Sequence, residues 1–450
     1  MSKILFIENR GKTRFWAHVA RALSVRGHEI AWMVQNPVYR PSASAGAIHV
    51  LPFPDSDQSG DSHFDDSWVS EHYPDLLGDR GRRYFHGNCD HYEHYDAVIG
   101  ELLDQLQPDA VIGEPTLFHE LLAVNHCRKR NIPYLHPTPT RYPAGRFTVF
   151  AGETQHSLGR SGDRMAPAEA QDLAERIATS RALPAYMVRK RGMAQAKTRL
   201  AILSAQAMAW TGHVKGERYN TPSLARKREL DGRLQANLAL WKKQQKIPRA
   251  PGRTLLYPLQ MQPEANLDVW GREHLDQVAT VQKMLAASRD DVTVAVKANP
   301  KSKYEVSDGL LNLAEIEPRV CLLPLDISMP VAQAASIGAL TVTGTVGFEA
   351  VFGKGRTLSL CHPVLELDFP SFHASSVNDG VDRLLHDPMS GQGKLESGIR
   401  LIQTFMGQSF PGLINEPLFD TRCIETANVN RVASVLEALI LRPNEMVSAV

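Results

Sequence analysis

The sequence predicts an α/β chain of two doubly wound, Rossmann-like domains with a helical insertion between them, and three observations carry that prediction. Short apolar runs alternate with helix-period segments in both halves, as strand–helix–strand units require. At 450 residues the chain exceeds what one hydrophobic core ordinarily organises, so two domains are expected. From about Ala166 to Lys246 the alternation gives way to long helical patterns rich in Arg and Lys, closed by "KIPRAPG".

The N-terminal domain, 1–160, opens on the apolar run "KILFIE". The segment "RFWAHVARALSVRGHEIAWMVQ" then supplies a helix, a turn at Gly27 and a second strand. The pattern repeats as the helix "YDAVIGELLDQL", a break at Pro108, the strand "DAVIGE", the helix "LFHELLAVNHCRKR" and the strand "IPYLHP". The insertion covers 161–250. The second domain, 251–425, runs through "TLLYPLQ", a helix from about Glu273 to Ser288, "VTVAVKANP", "RVCLLP", a helix around "MPVAQAASIG", "ALTVTGT", the helix "GFEAVFGKG" and "RTLSLC". A closing helix in 426–450, capped near Thr426 or Asn428, is expected to pack back on the N-terminal domain. The acidic stretch Asp55 to Asp66 reads as a mobile loop.

Composition excludes several classes. Fifty basic against 49 acidic side chains leave a net charge of +1, so no global field points to nucleic acid. The five cysteines have no paired spacing, which argues against a disulfide framework or a zinc site and suits a reducing compartment. No clustered histidine ligands stand at metal spacing, so catalysis without metal or cofactor is expected. Glu8 arrives too early in "MSKILFIENRG" for a signal peptide, and the expected location is the cytoplasm. The cationic stretch from Arg181 to Arg199 reads as a solvated helix face, with contact to anionic lipid head groups at the cytoplasmic face of the inner membrane as the alternative.

In doubly wound sheets ligands bind at the carboxyl ends of the strands. Glu8, Asn9, Arg10, Glu114 and the segment His136 to Arg141 are expected at such ends in the first domain. In the second, "YPLQMQPEANL", "VKANPKS" and "VTGTVGFEA" hold the corresponding places. The glycines of the last stretch allow close backbone approach, and its hydroxyls and N–H groups suit phosphate oxygens. A dehydrogenase would carry its phosphate turn after the first strand, where "IENRGKTRFW" has a single glycine. One architecture that sets two doubly wound domains across a cleft is that of the GT-B glycosyltransferases, with acceptor on the N-terminal side and nucleotide-sugar on the C-terminal side.

The order "PLQ-x-QPE", then "VK-x-NP", then "TGTVGFEA", over Thr254 to Leu360, resembles the bacterial capsular polysaccharide biosynthesis proteins, which include β-Kdo transferases of capsule and O-antigen assembly. The chain reads Asn299-Pro300 where members often read His-Pro. The resemblance implies a CMP-activated 2-keto sugar acid such as Kdo as donor and a glycan or lipid-linked glycan as acceptor. It further implies that Lys297 faces the phosphate, that Gly344, Thr345, Val346 and Gly347 give it N–H or hydroxyl donors, and that Glu349 accepts from the ribose. Asn299, Thr343, Gln262 and Glu264 complete the expected nucleotide-sugar set. A UDP- or GDP-sugar transferase and a catalytically silent glycan-binding assembly protein are the alternatives.

Transfer also needs a carboxylate or imidazole near the anomeric carbon. Glu114 in "GEPTLFHELL" is the first candidate and Glu8 the second, with His119 and Glu120 one turn into the next helix. Arg141 and Arg146 in "HPTPTRYPAGRF", with Asn9 and Arg10, are candidates to hold a sugar carboxylate or the acceptor.

Overall fold

The computed structural model describes residues 1–54, 66–182, 193–248 and 250–442. Most of the acidic loop, 55–65, and most of the cationic stretch, 183–192, therefore lie outside the described residues. The chain divides into two compact units, one of 1–165, 183–223 and 402–450, the other of 166–182 and 224–401. The segment read as one insertion, 161–250, is shared between them.

The first unit is built on a seven-stranded sheet. Its strands are β1 (Lys3–Ile7), β2 (Glu29–Val34), β3 (Ala47–Val50), β4 (Ala110–Ile112), β5 (Tyr134–Pro139), β6 (Arg146–Ala151) and β12 (Phe410–Pro411), in the order β12-β6-β5-β4-β1-β2-β3. β1 to β5 pair in parallel, while β6 and β12 are antiparallel additions at the edge. The run "KILFI" is almost wholly buried because helices cover both faces, as parallel sheets demand. Helix Thr13–Val25 places Phe15, Trp16, Val19, Ala20 and Leu23 inward and yields to a turn at Gly27, whose φ of 92° suits glycine. The C-terminal helix Thr426–Leu441 packs against it through Val429, Val432, Ala433 and Leu436, and Arg26 pairs with Glu437 at 2.7 Å. Asn428, read as a helix cap, instead ties Leu413 and Cys423 to the start of this helix.

The second unit holds a five-stranded parallel sheet of β7 (Thr254–Pro258), β8 (Thr293–Lys297), β9 (Val320–Leu322), β10 (Gly338–Thr341) and β11 (Thr357–Ser359), ordered β11-β10-β7-β8-β9. Leu255, Tyr257, Val294, Val296, Leu340 and Leu358 form its core with helices on either face. The helix expected from Glu273 starts later, at Gln277, because Asp276 caps it by accepting from the Ala279 N–H at 3.0 Å. Helix Leu395–Gly407 and strands β3, β6 and β12 had no counterpart in the sequence reading.

Both sheets have one place where strand order reverses. In the first it lies between β1 and β4, in the second between β7 and β10. Connections leave such a pair toward opposite faces, so a crevice opens beyond its carboxyl ends.

Candidate functional site

At the reversal point of the first sheet, the chain after β1 turns through Glu8, Asn9 and the one-turn helix Arg10–Lys12. Glu8 is 1% exposed; it accepts from the Arg10 N–H at 2.7 Å and the Asn36 N–H at 3.0 Å, tying the ends of β1 and β2 together. Burial pushes its carboxyl up to about 7 despite those two donors. After β4, Glu114 is 9% exposed and receives the Lys12 ammonium on both oxygens at 2.7 Å. The Lys12–Glu114 pair is thus the charged centrepiece of the crevice. A carboxylate offers about four lone-pair positions, and this lysine leaves the others available.

Glu416, from the C-terminal segment, lies against Gly11, where any β-carbon would collide with its carboxylate. Burial and the neighbouring Glu114 raise its carboxyl, and Lys12 and Arg10 oppose the shift. Gly11 thus leaves the space that the Glu416 carboxylate occupies.

Glu120 belongs to helix Phe118–Arg130 and is fully buried. Its carboxylate accepts from Thr116 N–H and Leu117 N–H at 2.9 Å and from Asn9 Nδ2 at 3.1 Å, so it closes the start of its own helix. Burial, aided by Glu114, pushes it up to about 8. His119 beside it is also fully buried, and burial with the charges of Arg10 and Arg80 pushes its imidazole down to about 3. His136 in β5 is likewise pushed to about 3, by burial and then by Lys12. Neither imidazole carries a charge at neutral pH.

The arginines separate. Arg10 donates from Nη2 to the Asn220 carbonyl at 3.1 Å and stays at the crevice. Arg146 is taken up inside the unit: Nε donates to Ser409 Oγ at 2.8 Å, and Nη2 meets Asp163 at 2.5 Å and the carbonyls of Met406 and Ser409. A guanidinium so committed fastens β6 to the C-terminal segment. Arg141 sits just past β5, half-buried.

Around the reversal point of the second sheet, most polar groups satisfy one another. Gln262 donates to Asp268 at 3.2 Å and to the Leu275 carbonyl at 3.1 Å, and accepts from Gln277 at 2.9 Å. Glu264 precedes the short helix Ala265–Asp268 and gives its N–H to Asp268 at 2.7 Å. With the Gln260 amide turned so that its oxygen accepts from the N–H groups of Val342 and Thr343 at 2.9 and 2.8 Å, its nitrogen donates to Thr343 Oγ1. The Thr343 hydroxyl in turn donates to the Asn266 carbonyl at 2.8 Å. Thr343 is therefore a strut of the turn. Asn299 shapes its own loop, accepting from the Lys301 N–H at 2.9 Å.

Two features stand apart. Gly344, Thr345 and Val346 are partly exposed, Gly347 is packed on Ser359, and a β-carbon on Gly344 would strike the Thr341 hydroxyl. Lys297, at the end of β8, is 4% exposed, and among the described residues its ammonium has only the Ala298 carbonyl, at 3.1 Å. Burial lowers its pKa. Pro258 at the end of β7 is its register partner, so Lys297 and the Gly344 turn flank the same central strand, one on each side. Glu349 meets Lys354 at 3.2 Å at the far end of helix Thr345–Val351.

The sequence reading missed Lys12, Glu416, Glu217 and Arg80. Glu217 is 1% exposed and caps residues 219–221 while accepting from Gln35 at 3.3 Å. Arg80 lies among Arg10, Asp79, Glu217 and Glu120, and burial followed by Arg10 pushes it down to about 9. Among the described residues no helix is long and apolar enough to cross a membrane.

No family model and no curated protein matches the chain. Among solved structures it is similar to the UDP-GlcNAc 2-epimerase of Methanocaldococcus jannaschii, at 13% identity over 90% of this chain and 99% of that one, with a TM-score of 0.27. It is also similar to S. aureus MnaA in its structure with UDP, at 12% identity over 100% of both chains and a TM-score of 0.30. A third is CalG4, the calicheamicin glycosyltransferase, at 15% identity over 99% of both chains and a TM-score of 0.26. At TM-scores this low these likenesses add no argument to the one made by the chain's own two sheets and their reversal points.

Proposed function

We propose that the chain is a glycosyltransferase of GT-B type that takes a sugar from a nucleotide-activated donor, with a CMP-linked 2-keto sugar acid such as Kdo as the donor and a cell-surface glycan as acceptor. The observation that carries the reading is Lys297: an ammonium buried at a strand end with no carboxylate partner is costly unless an anion joins it. The Gly344 to Gly347 turn on the other side of β7 supplies close backbone approach for the same anion. A nucleoside phosphate departing from a sugar is such an anion, and fixed donors stabilise the charge that develops as it leaves.

Within the first unit the candidate base is Glu114. Glu114 accepts the proton of the acceptor hydroxyl through a lone pair that Lys12 does not use, while Lys12 fixes the carboxylate's orientation. Glu8, Glu120 and His119 act as positioning residues, since each is enclosed and Glu8 and Glu120 spend their oxygens on backbone and amide donors. Asn9 and Arg10 line the acceptor side, and Arg146 has no part in it.

Thermal-shift titration with CMP, UDP and GDP, on wild type and Lys297→Met, tests the donor half. Stabilisation by CMP alone, lost in the variant, is the expected result. Stabilisation by UDP or GDP alone moves the chain to a different donor. Indifference to all three sinks the transferase reading.

A further inference from the structure

A second cationic feature of the first unit shares Arg10 with the crevice of the Lys12–Glu114 pair. A cavity of about 360 Å³ opens between the start of helix Thr13–Val25 and the loop that follows β2. Arg10, Arg14, Arg21, Arg40 and His18 line it, and no carboxylate does. Thr13, Tyr39 and Pro41 are buried beneath it and give it a fixed floor.

Arg21 donates to the hydroxyls of Ser42 and Ser44, at 3.3 and 2.9 Å, and so holds the loop against the helix. The acidic groups behind the cavity are already engaged. Glu8 is bonded to the backbone of Arg10 and Asn36, and Glu217 to residues 219–221; with Glu416 they act on Arg10 and Tyr39. Arg14, Arg21 and Arg40 have no ion pair among the described residues. Burial, and then the charge of Arg21, lower the pKa of His18.

Four arginines line one concavity, and their charges together attract an anion placed among them. Planar guanidinium forks match the oxygens of a phosphoryl group in pairs. We propose that this cavity binds a phosphoryl group, as a site separate from the nucleotide site of the second unit. The ligand's phosphate is either free or carried by a lipid. Met208 at the rim belongs to helix Met193–Val214, which exposes Leu200, Leu203 and Trp210, so the lipid-borne source has to be tested as well.

The test uses the full chain and the double variant Arg14→Glu/Arg40→Glu. Both side chains are exposed, so the unliganded melting temperature is expected to stay near wild type and serves as the folding control. One arm measures binding of inorganic pyrophosphate by calorimetry; the other measures co-sedimentation with phosphatidylcholine vesicles with and without phosphatidic acid. Wild type is expected to respond in at least one arm, and the double variant to bind roughly ten- to a hundred-fold more weakly there. Response to pyrophosphate assigns a free phosphate compound, and response only to phosphatidic acid assigns a lipid-borne one. No response in either arm, or a response that the variant retains in full, overturns the proposal. Retention of nucleotide binding by the double variant separates this result from failure of the donor reading.

Discussion

The carboxyl edges of the two sheets solve opposite electrostatic problems. At the first, carboxylates outnumber the space available to solvate them: Glu8 and Glu120 are buried and raised to about 7 and about 8, and Glu114 is held by Lys12. At the second, amides, hydroxyls and the buried carboxylates of Asp268 and Glu305 satisfy one another, while among the described residues the buried Lys297 ammonium has only a carbonyl. A crowd of carboxylates near neutral pH is suited to moving protons, whereas a lone buried cation is suited to holding an anion. In the proposed function the same doubly wound topology carries a proton-handling edge and a phosphate-handling edge, and the difference lies in a handful of side chains at the reversal points.

The sharpest way to break this division is Glu114→Gln. It keeps shape and the Lys12 contact on one oxygen but removes the base. Turnover is expected to fall by about 10² to 10⁴, the usual contribution of a general base, while CMP-induced stabilisation stays at its wild-type value. Sugar transfer from the CMP donor and a thermal shift on the same preparation read both quantities. Loss of nucleotide binding in this variant would erase the distinction between the two edges.

A smaller effect concerns the pH dependence of stability. A carboxyl whose folded pKa lies above its ordinary value keeps a proton that the unfolded chain has already released. The contribution of Glu8 and Glu120 is therefore fully present below about 4.5 and is lost as pH rises through about 7 and about 8. Glu8→Gln and Glu120→Gln, compared with wild type by urea denaturation at pH 5, 6, 7 and 8, are expected to flatten the fall by amounts on the order of a kcal/mol or more. A wild-type curve already flat across that range would show that the first edge is not under acidic strain.

The extent to which the sequence revealed these edges follows from the range of the interactions involved. Glu8, Glu114 and Lys297 were legible because each directly follows or ends an apolar run, and strand ends are where doubly wound sheets place function. Lys12 was not legible as the partner of Glu114, since 102 residues separate them and nothing periodic marks either one for the other. Glu416 and Glu217 reach the first edge from the C-terminal segment and the helical stretch, routes that only the tertiary fold reveals. Arg146 misled for the reciprocal reason: "RFTVFA" is an antiparallel strand one place in from the sheet's edge, and its first residue faces Asp163 and the segment that forms the edge strand β12, too short to carry a pattern.

The mildest prediction concerns Glu349, where the resemblance and the geometry pull apart. The resemblance assigns its carboxylate to the ribose hydroxyls. The structure pairs it with Lys354 at 3.2 Å, both side chains being mostly shielded from solvent. Glu349→Gln leaves a hydrogen-bonding group of the same shape but takes away the charge that Lys354 faces. If the ion pair is the residue's whole role, the variant loses on the order of 1 kcal/mol of stability and keeps its affinity for CMP, and Lys354→Met costs a comparable amount. If the carboxylate also accepts from the ribose, CMP affinity falls roughly ten-fold on top of that loss, and Lys354→Met, which frees the carboxylate, leaves the affinity intact or raises it. Calorimetric titration of CMP into the two variants decides between these outcomes, because only ribose contact makes their affinities diverge.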